Sequence, residues 1–192
     1  GAREVFLVDE ALAAAVGMRL PIKEPVGTMV VDIGGGTSDI VVISMGGIVH
    51  AKGLKIAGDR FNNEIIGFIR NEYKTLIGEK TAEGLKIAIG SAMPQRETLQ
   101  TAVRGRDIVT GLPREVIVTD LDVRNAMGHS IEELIEAIKE VLESTPPEII
   151  GDIALLTSAA APQRVLAFGS WLEPAKAQAM ERAVEALRGH GE

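Results

Sequence analysis

Cysteine is absent from this chain, which excludes disulfides, thiolate metal sites and cysteine nucleophiles and suits a reducing cytoplasm. Basic residues are not in excess: 20 Lys and Arg stand against 27 Asp and Glu, mixed along the sequence, for a formal net charge of -7. Without a basic stripe to neutralise a phosphate backbone, nucleic acid is not an expected partner. No apolar run reaches the ~20 residues that a membrane-spanning helix needs, and residues 1–10 lack the basic start and long apolar stretch of a signal peptide. His50, His129 and His190 are scattered without ligand spacing, and there is no nucleophile triad, carboxylate–histidine cluster, internal repeat or low-complexity tract.

What is present is enough apolar sequence, 46% of 192 residues, to bury a core in one domain or two small lobes. Gly1-Ala2-Arg3-Glu4 runs into Val5-Phe6-Leu7-Val8 without an initiator methionine, which reads as a segment of something longer. The apolar run 4–8 followed by the alanine-rich 11–18 predicts a strand leading into a short helix. Residues 28–33 are apolar and β-branched and stop at Gly34-Gly35-Gly36, as a buried strand meeting a glycine turn would. Two more β-rich runs, 39–44 and 48–56, meet through Gly46-Gly47, so the sheet is expected to grow by hairpin.

Phe61, Ile65, Phe68, Ile69, Tyr73 and Leu76 recur at three and four and predict an amphipathic helix over 59–77, with Asp59 at its positive end. A second helix is expected from Thr81, as N-cap, to about 89, then strands over 98–103 and 115–119 around the loop Gly111-Leu112-Pro113. Ser130-Ile131-Glu132-Glu133 has the form of a capping box, with Leu134, Ile135, Ile138, Val141 and Leu142 following on one face. Beyond Pro146-Pro147, residues 164–168 read as a strand and 173–187 as a helix.

The chemistry concentrates in Asp32-Ile33-Gly34-Gly35-Gly36-Thr37-Ser38-Asp39. Three glycines let successive backbone N–H groups ring the oxygens of an anion with no side chain in the way. Asp32 could hold a magnesium ion, usually through water, or orient an attacking water, and Thr37 can donate its hydroxyl to a phosphate. A plain hairpin turn with an aspartate cap competes for any isolated Gly-Gly-Gly. The flanking Asp, Thr and Asp, with apolar strands on both sides, favour the phosphate loop.

Val30-Val31-Asp32-Ile33-Gly34-Gly35-Gly36-Thr37 resembles the second phosphate loop of the superfamily that joins actin, sugar kinases and heat-shock chaperone ATPases. Arg3-Glu4-Val5-Phe6-Leu7-Val8, Ala13-Ala14-Ala15-Val16-Gly17, Ile56-Ala57-Gly58-Asp59, Ile77-Gly78-Glu79-Lys80-Thr81-Ala82-Glu83, Thr110-Gly111-Leu112-Pro113-Arg114 and Thr145-Pro146-Pro147-Glu148 follow in order. Their spacing is similar to the second half of MreB, the bacterial actin-like cell-shape family, over roughly residues 2–153. The resemblance implies an α/β, actin-like (ribonuclease H-like) mixed sheet flanked by helices. It further implies a larger lobe from 1–56 plus 120–192 and a small inserted α+β lobe over 57–119. ATP and magnesium are the implied cofactors, with hydrolysis of Mg-ATP, self-association into filaments, the cell-wall synthesis machinery as partner, a cytoplasmic location and maintenance of cell shape.

Carried over residue by residue, Glu10 and Asp32 fall at catalytic positions, Glu10 where the family positions the hydrolytic water and Asp32 where magnesium is held through water. Gly34, Gly35, Gly36 and Thr37 match the phosphate grip, and Gly58 the glycine at the entry to the smaller lobe. Glu83 and Lys86 match contacts to ribose and base. From the residues alone, Glu10 is equally a helix cap, and Glu83 with Lys86 equally a solvated charge pair one turn apart.

Departures from the family set a second expectation. Nothing ahead of Gly1 supplies the first phosphate loop and its lysine, so this chain alone is expected to grip ATP weakly or not at all and to be inactive. Where the family has a Thr-Gly-Gly-Gly turn against adenosine, this chain reads Leu156-Thr157-Ser158-Ala159-Ala160-Ala161-Pro162, and Ala11 replaces a usual proline. Residues 154–192 do not match, and a chimeric or engineered replacement is one reading of them, with a strand that extends the sheet and a helix that covers it. The family's membrane-contacting segments lie in its other half, so no direct membrane segment is expected. The alternative function is a noncatalytic or chimeric structural module in which the loop is idle.

Overall fold

A computed structural model describes residues 1, 3–158 and 165–168. Five of the six residues of Thr28–Ile33 (β1) are buried, because both edges of this strand are paired and both faces are covered. Ser38–Ser44 (β2) runs antiparallel to it and Gly47–Leu54 (β3) antiparallel to β2, while Val165–Phe168 joins the other edge of β1 in parallel. The sheet is therefore mixed, in the order β3-β2-β1 and then the tail strand, and the tail extends it as expected. The β2–β3 hairpin turns on Met45 and Gly46, both left-handed at φ 52 and 77, one residue earlier than the Gly46-Gly47 pair suggested.

Alternation along β1 and β2 splits their side chains between two cores. Val30, Val41 and Ile43 pack with Ala11 and Ala15 of Glu10–Gly17 (α1). Met29, Val31, Ile33, Ile40 and Val42 join a larger core with Phe61, Ile65 and Ile69 of Gly58–Tyr73 (α2). A second, three-stranded antiparallel sheet is built from Thr75–Leu76 (β4), Gln100–Asp107 (β5) and Pro113–Thr119 (β6), with Glu79–Ile89 (α3) between β4 and β5 in sequence.

Asp120–Glu143 (α4) is one continuous helix of 24 residues, not a helix starting at Ser130. Its capping box is Thr119 with Asp122: the Thr119 hydroxyl accepts from the Asp122 N–H and the Asp122 carboxylate accepts from the Thr119 N–H. Ser130 lies buried mid-helix and donates to Glu64 of α2 at 2.5 Å. The apolar stripe extends back through Met127 and Val123, across Gly128. Helix α2 stops at Tyr73 because Lys74 takes a left-handed φ of 52, which moves Leu76 into β4. Helix α3 begins at Glu79, with Gly78 rather than Thr81 as its cap.

Residues 4–8 do not form a strand: Val5, Phe6, Leu7 and Val8 are 79, 80, 99 and 66% exposed, and no strand among the described residues pairs with them. Pro147–Ser158 (α5) starts on a proline, whose missing N–H costs nothing at a helix's first position, and it carries Leu156 through Ser158 as helix. The strand Val165–Phe168 is β7 in chain order. The expected helix over 173–187 and the alanine run 159–161 lie outside the described residues.

Candidate functional site

Strand pairing delivers the glycine loop to one end of the central sheet. Asp32 lies opposite Asp39 and Ile33 opposite Ser38, leaving residues 34–37 as the connection, closed by a hydrogen bond from Gly34 N–H to Thr37 O at 2.9 Å. None of the three glycines has a positive φ, so the turn does not need them for a left-handed backbone. Close approach within the turn accounts for Gly34 alone, since at Gly35 and Gly36 an added Cβ would meet only ordinary contact distances. A Cβ on Gly34 would stand 3.2 Å from Thr37 O, and Cβ atoms on Gly35 and Gly36 would stand 3.8–3.9 Å from the Asp59 carboxylate.

The start of α2 anchors the loop from below. Gly58 N–H donates to Gly34 O at 3.2 Å and Asp59 N–H donates to Gly35 O at 2.8 Å, so two of the helix's unpaired N-terminal donors are used on loop carbonyls. With those carbonyls turned toward α2, no acceptor among the described residues takes the N–H of Gly35, Gly36 or Thr37, all three exposed. Exposed, unpaired and consecutive N–H groups are the material of an anion nest. Ser38, buried just after them, fixes the far side by donating to Ile56 O at 2.5 Å.

Lys86 departs from the solvated-pair reading: it is only 2% exposed, and its Nζ donates to Gly58 O at 3.2 Å. Loop, α2 and α3 converge at Gly58, where a Cβ would stand 3.5 Å from both Gly34 O and Lys86 Nζ. Glu83 is exposed on α3. Glu10 is the exposed first residue of α1, capped by Asp9, which accepts from the Leu12 N–H at 3.2 Å; no hydrogen bond or ion pair links Glu10 to the loop. Asp32 is half-buried in β1. Hydrogen bonds gather the loop, Gly58 and Lys86 in one region, with Asp32 at the end of β1 directly ahead of it; Glu10 and Glu83 are not tied to it.

Beside the loop is an open depression of about 440 Å³ lined by Gly36, Lys55, Asp59, Arg60, Asn63 and Glu64. Arg60 bridges Glu64 at 3.4 Å and Glu133 of α4 at 3.2 Å. Lys55 and the side chain of Asp59 were not singled out for this site from sequence, although Asp59 directly follows Gly58 and a first-turn carboxylate at a loop–helix junction was legible. Among the described residues no group of three or more His, Asp or Glu side chains could cage a metal. A magnesium ion that keeps most of its waters needs only one or two protein carboxylates, and Asp32 and Asp59 are carboxylates that flank the loop.

The sequence profile of the MreB/Mbl protein family matches residues 1–157. The chain is 48% identical over 153 residues to the cell shape-determining protein Mbl of Bacillus subtilis, covering 80% of this chain and 46% of that protein. It is 45% identical over 154 residues to the cell shape-determining protein MreB of Escherichia coli K12, covering 80% of this chain and 44% of that one. The crystal structure of MreB5 of Spiroplasma citri bound to ADP superposes with a TM-score of 0.81 at 38% identity, covering 88% of this chain and 50% of that one. The double-helical filament of MamK, at 22% identity and a TM-score of 0.70, shares the fold. The chain spans about half the length of the curated relatives it matches. Its fold is actin-like, and by the span and strength of these matches the chain belongs to the MreB/Mbl family.

Proposed function

We propose that this chain supplies the phosphate-gripping half of an ATP-binding, filament-forming bacterial actin homologue that maintains cell shape in the cytoplasm, in concert with the cell-wall synthesis machinery. The observation that carries this reading is the loop 34–37, whose exposed N–H groups at Gly35, Gly36 and Thr37 have no acceptor among the described residues while the carbonyls of Gly34 and Gly35 are tied to α2. The relative MreB5 binds ADP in its crystal structure, which supports a nucleotide as the anion.

In this reading Gly35, Gly36 and Thr37 hold phosphate oxygens, and the Thr37 hydroxyl adds a donor. Asp32 holds the waters of a magnesium ion, which when bound neutralises phosphate charge. Lys86 acts through Gly58, fixing the α2 start on which the loop rests, and Glu83 is left as the member of the pair that can reach a ribose. Glu10 orients the attacking water once α1 and the loop are brought to the same nucleotide. The division into a larger unit, 1–56 with 120–192, and a smaller inserted one, 57–119, belongs to the same proposal and follows the two separate sheets.

Calorimetric titration of the chain with Mg-ADP and Mg-ATP tests the binding step, and sedimentation with and without Mg-ATP tests assembly. Saturable heat supports the proposal. No heat at millimolar nucleotide would favour the structural-module alternative for this chain.

A further inference from the structure

We propose that Asp59 biases phosphate binding at the loop toward an anion carrying a divalent cation, so that the site prefers metal-bound nucleotide to the free anion. The inference rests on the reading of residues 34–37 as a phosphate loop and adds a specificity-determining residue to it. Asp59 is in the first turn of α2, where its N–H is committed to Gly35 O at 2.8 Å. Its exposed carboxylate oxygens stand 3.8 and 3.9 Å from the Cβ position of Gly35, and one stands 3.9 Å from that of Gly36. The Asp59 carboxylate therefore faces the Gly35–Gly36 stretch of the loop, where N–H groups are offered to an anion.

The surroundings do not cancel that charge. The depression next to the loop carries two cations, Lys55 and Arg60, against two carboxylates, Asp59 and Glu64. Arg60 is already engaged by Glu64 and by Glu133. Lys55 is exposed, so its compensation is screened by salt. A bare phosphate at the loop meets Asp59 at a few ångströms, where like charges in solvent-exposed surroundings oppose binding by about fivefold. With a hydrated divalent cation on the phosphate, Asp59 turns from an opponent of the ligand into an acceptor for the cation's waters.

The test is calorimetric titration of the full chain with ADP, in excess magnesium and in EDTA, for the wild type and Asp59→Asn, with thermal melting as the control for folding. Wild type is expected to bind more tightly with magnesium. Asp59→Asn is expected to bind ADP about fivefold more tightly than wild type in EDTA, and its ratio of affinities between the two media is expected to shrink by a similar factor. Asp59→Ser, which also suits a helix start, carries the same expectation should the amide disturb folding. If the variant changes affinity equally in both media, or in neither, Asp59 has no such role while the loop reading stands. Absence of ADP binding by every protein in both media removes the loop reading, and this inference with it.

Discussion

Tyr73 donates to the Asp122 carboxylate at 2.8 Å, and Asp122 also accepts from the N–H and the hydroxyl of Thr119, so one side chain ties the end of α2 to the start of α4. Burial, then the bond to Asp122, pushes the Tyr73 phenol up to about 12. Burial pushes Asp122 upward as well, but the donors from Thr119 and Tyr73 outweigh it and hold that carboxyl low. Because the Tyr73 value lies above the ordinary value near 10, its contribution to stability is full below about pH 10 and is lost as the pH rises through 12. Tyr73→Phe is expected to cost about 1–2 kcal/mol at pH 7, read as a lower denaturant midpoint with an unchanged slope; an unmoved midpoint would show that the clasp contributes nothing.

Asp107 behaves with the opposite sign. The N–H groups of Thr110 and Val109, with Arg114, hold its carboxyl down to about 2. Its contribution is present above the ordinary carboxylate value near 4 and fades as the pH falls through 2. Asp107→Asn should lower the melting temperature at pH 7, and the gap from wild type should close as the pH is taken down toward 2. At this scale the loop 34–37 was legible because its donors are contiguous in sequence. The burial of Lys86 was not: the acceptor that decides it, Gly58 O, is 28 residues away, and the i, i+3 spacing to Glu83 does not say which face of α3 is covered.

Among the elements, β1, β2, β3 and the α2 stripe were readable from local pattern, since a buried strand and an amphipathic helix each repeat their own period. Helix α4 was cut short because Gly128, His129 and Ser130 look like a break followed by a capping box, whereas the continuous stripe from Val123 to Leu142 packs against the core. Tertiary burial overrides such local signals. Gly128 sits in that helix with nothing within 4 Å of an added Cβ. Gly128→Ala is therefore expected to stabilise the protein by about 0.5–1 kcal/mol, measured as a raised denaturant midpoint. A destabilising effect there would argue for a break in α4. Gly105 is the contrasting case: a Cβ would come 2.3 Å from Leu76 O, where β4 meets β5. Gly105→Ala should cost about 1–3 kcal/mol.

For the molecule as a whole, the mixed sheet flanked by helices was implied by the family resemblance, and the family matches give the actin-like fold. The run 4–8 was misread for a reason of the same scale. A strand is completed by a neighbour, and among the described residues no edge takes this one, leaving Val5, Phe6, Leu7 and Val8 exposed. Such a patch favours self-association. Replacing Phe6 and Leu7 together by serine should lower the chain's light-scattering mass at high concentration without moving its melting temperature.

The central claim is that the backbone of residues 34–37 receives nucleotide phosphate. Amide ¹H–¹⁵N spectra of the labelled chain, titrated with Mg-ADP, address it directly. The N–H resonances of Gly35, Gly36 and Thr37 should move together and saturate with one affinity, because in the free protein these groups have no acceptor among the described residues. Saturable shifts elsewhere with these three amides unmoved, or no shifts at any nucleotide concentration, would contradict it.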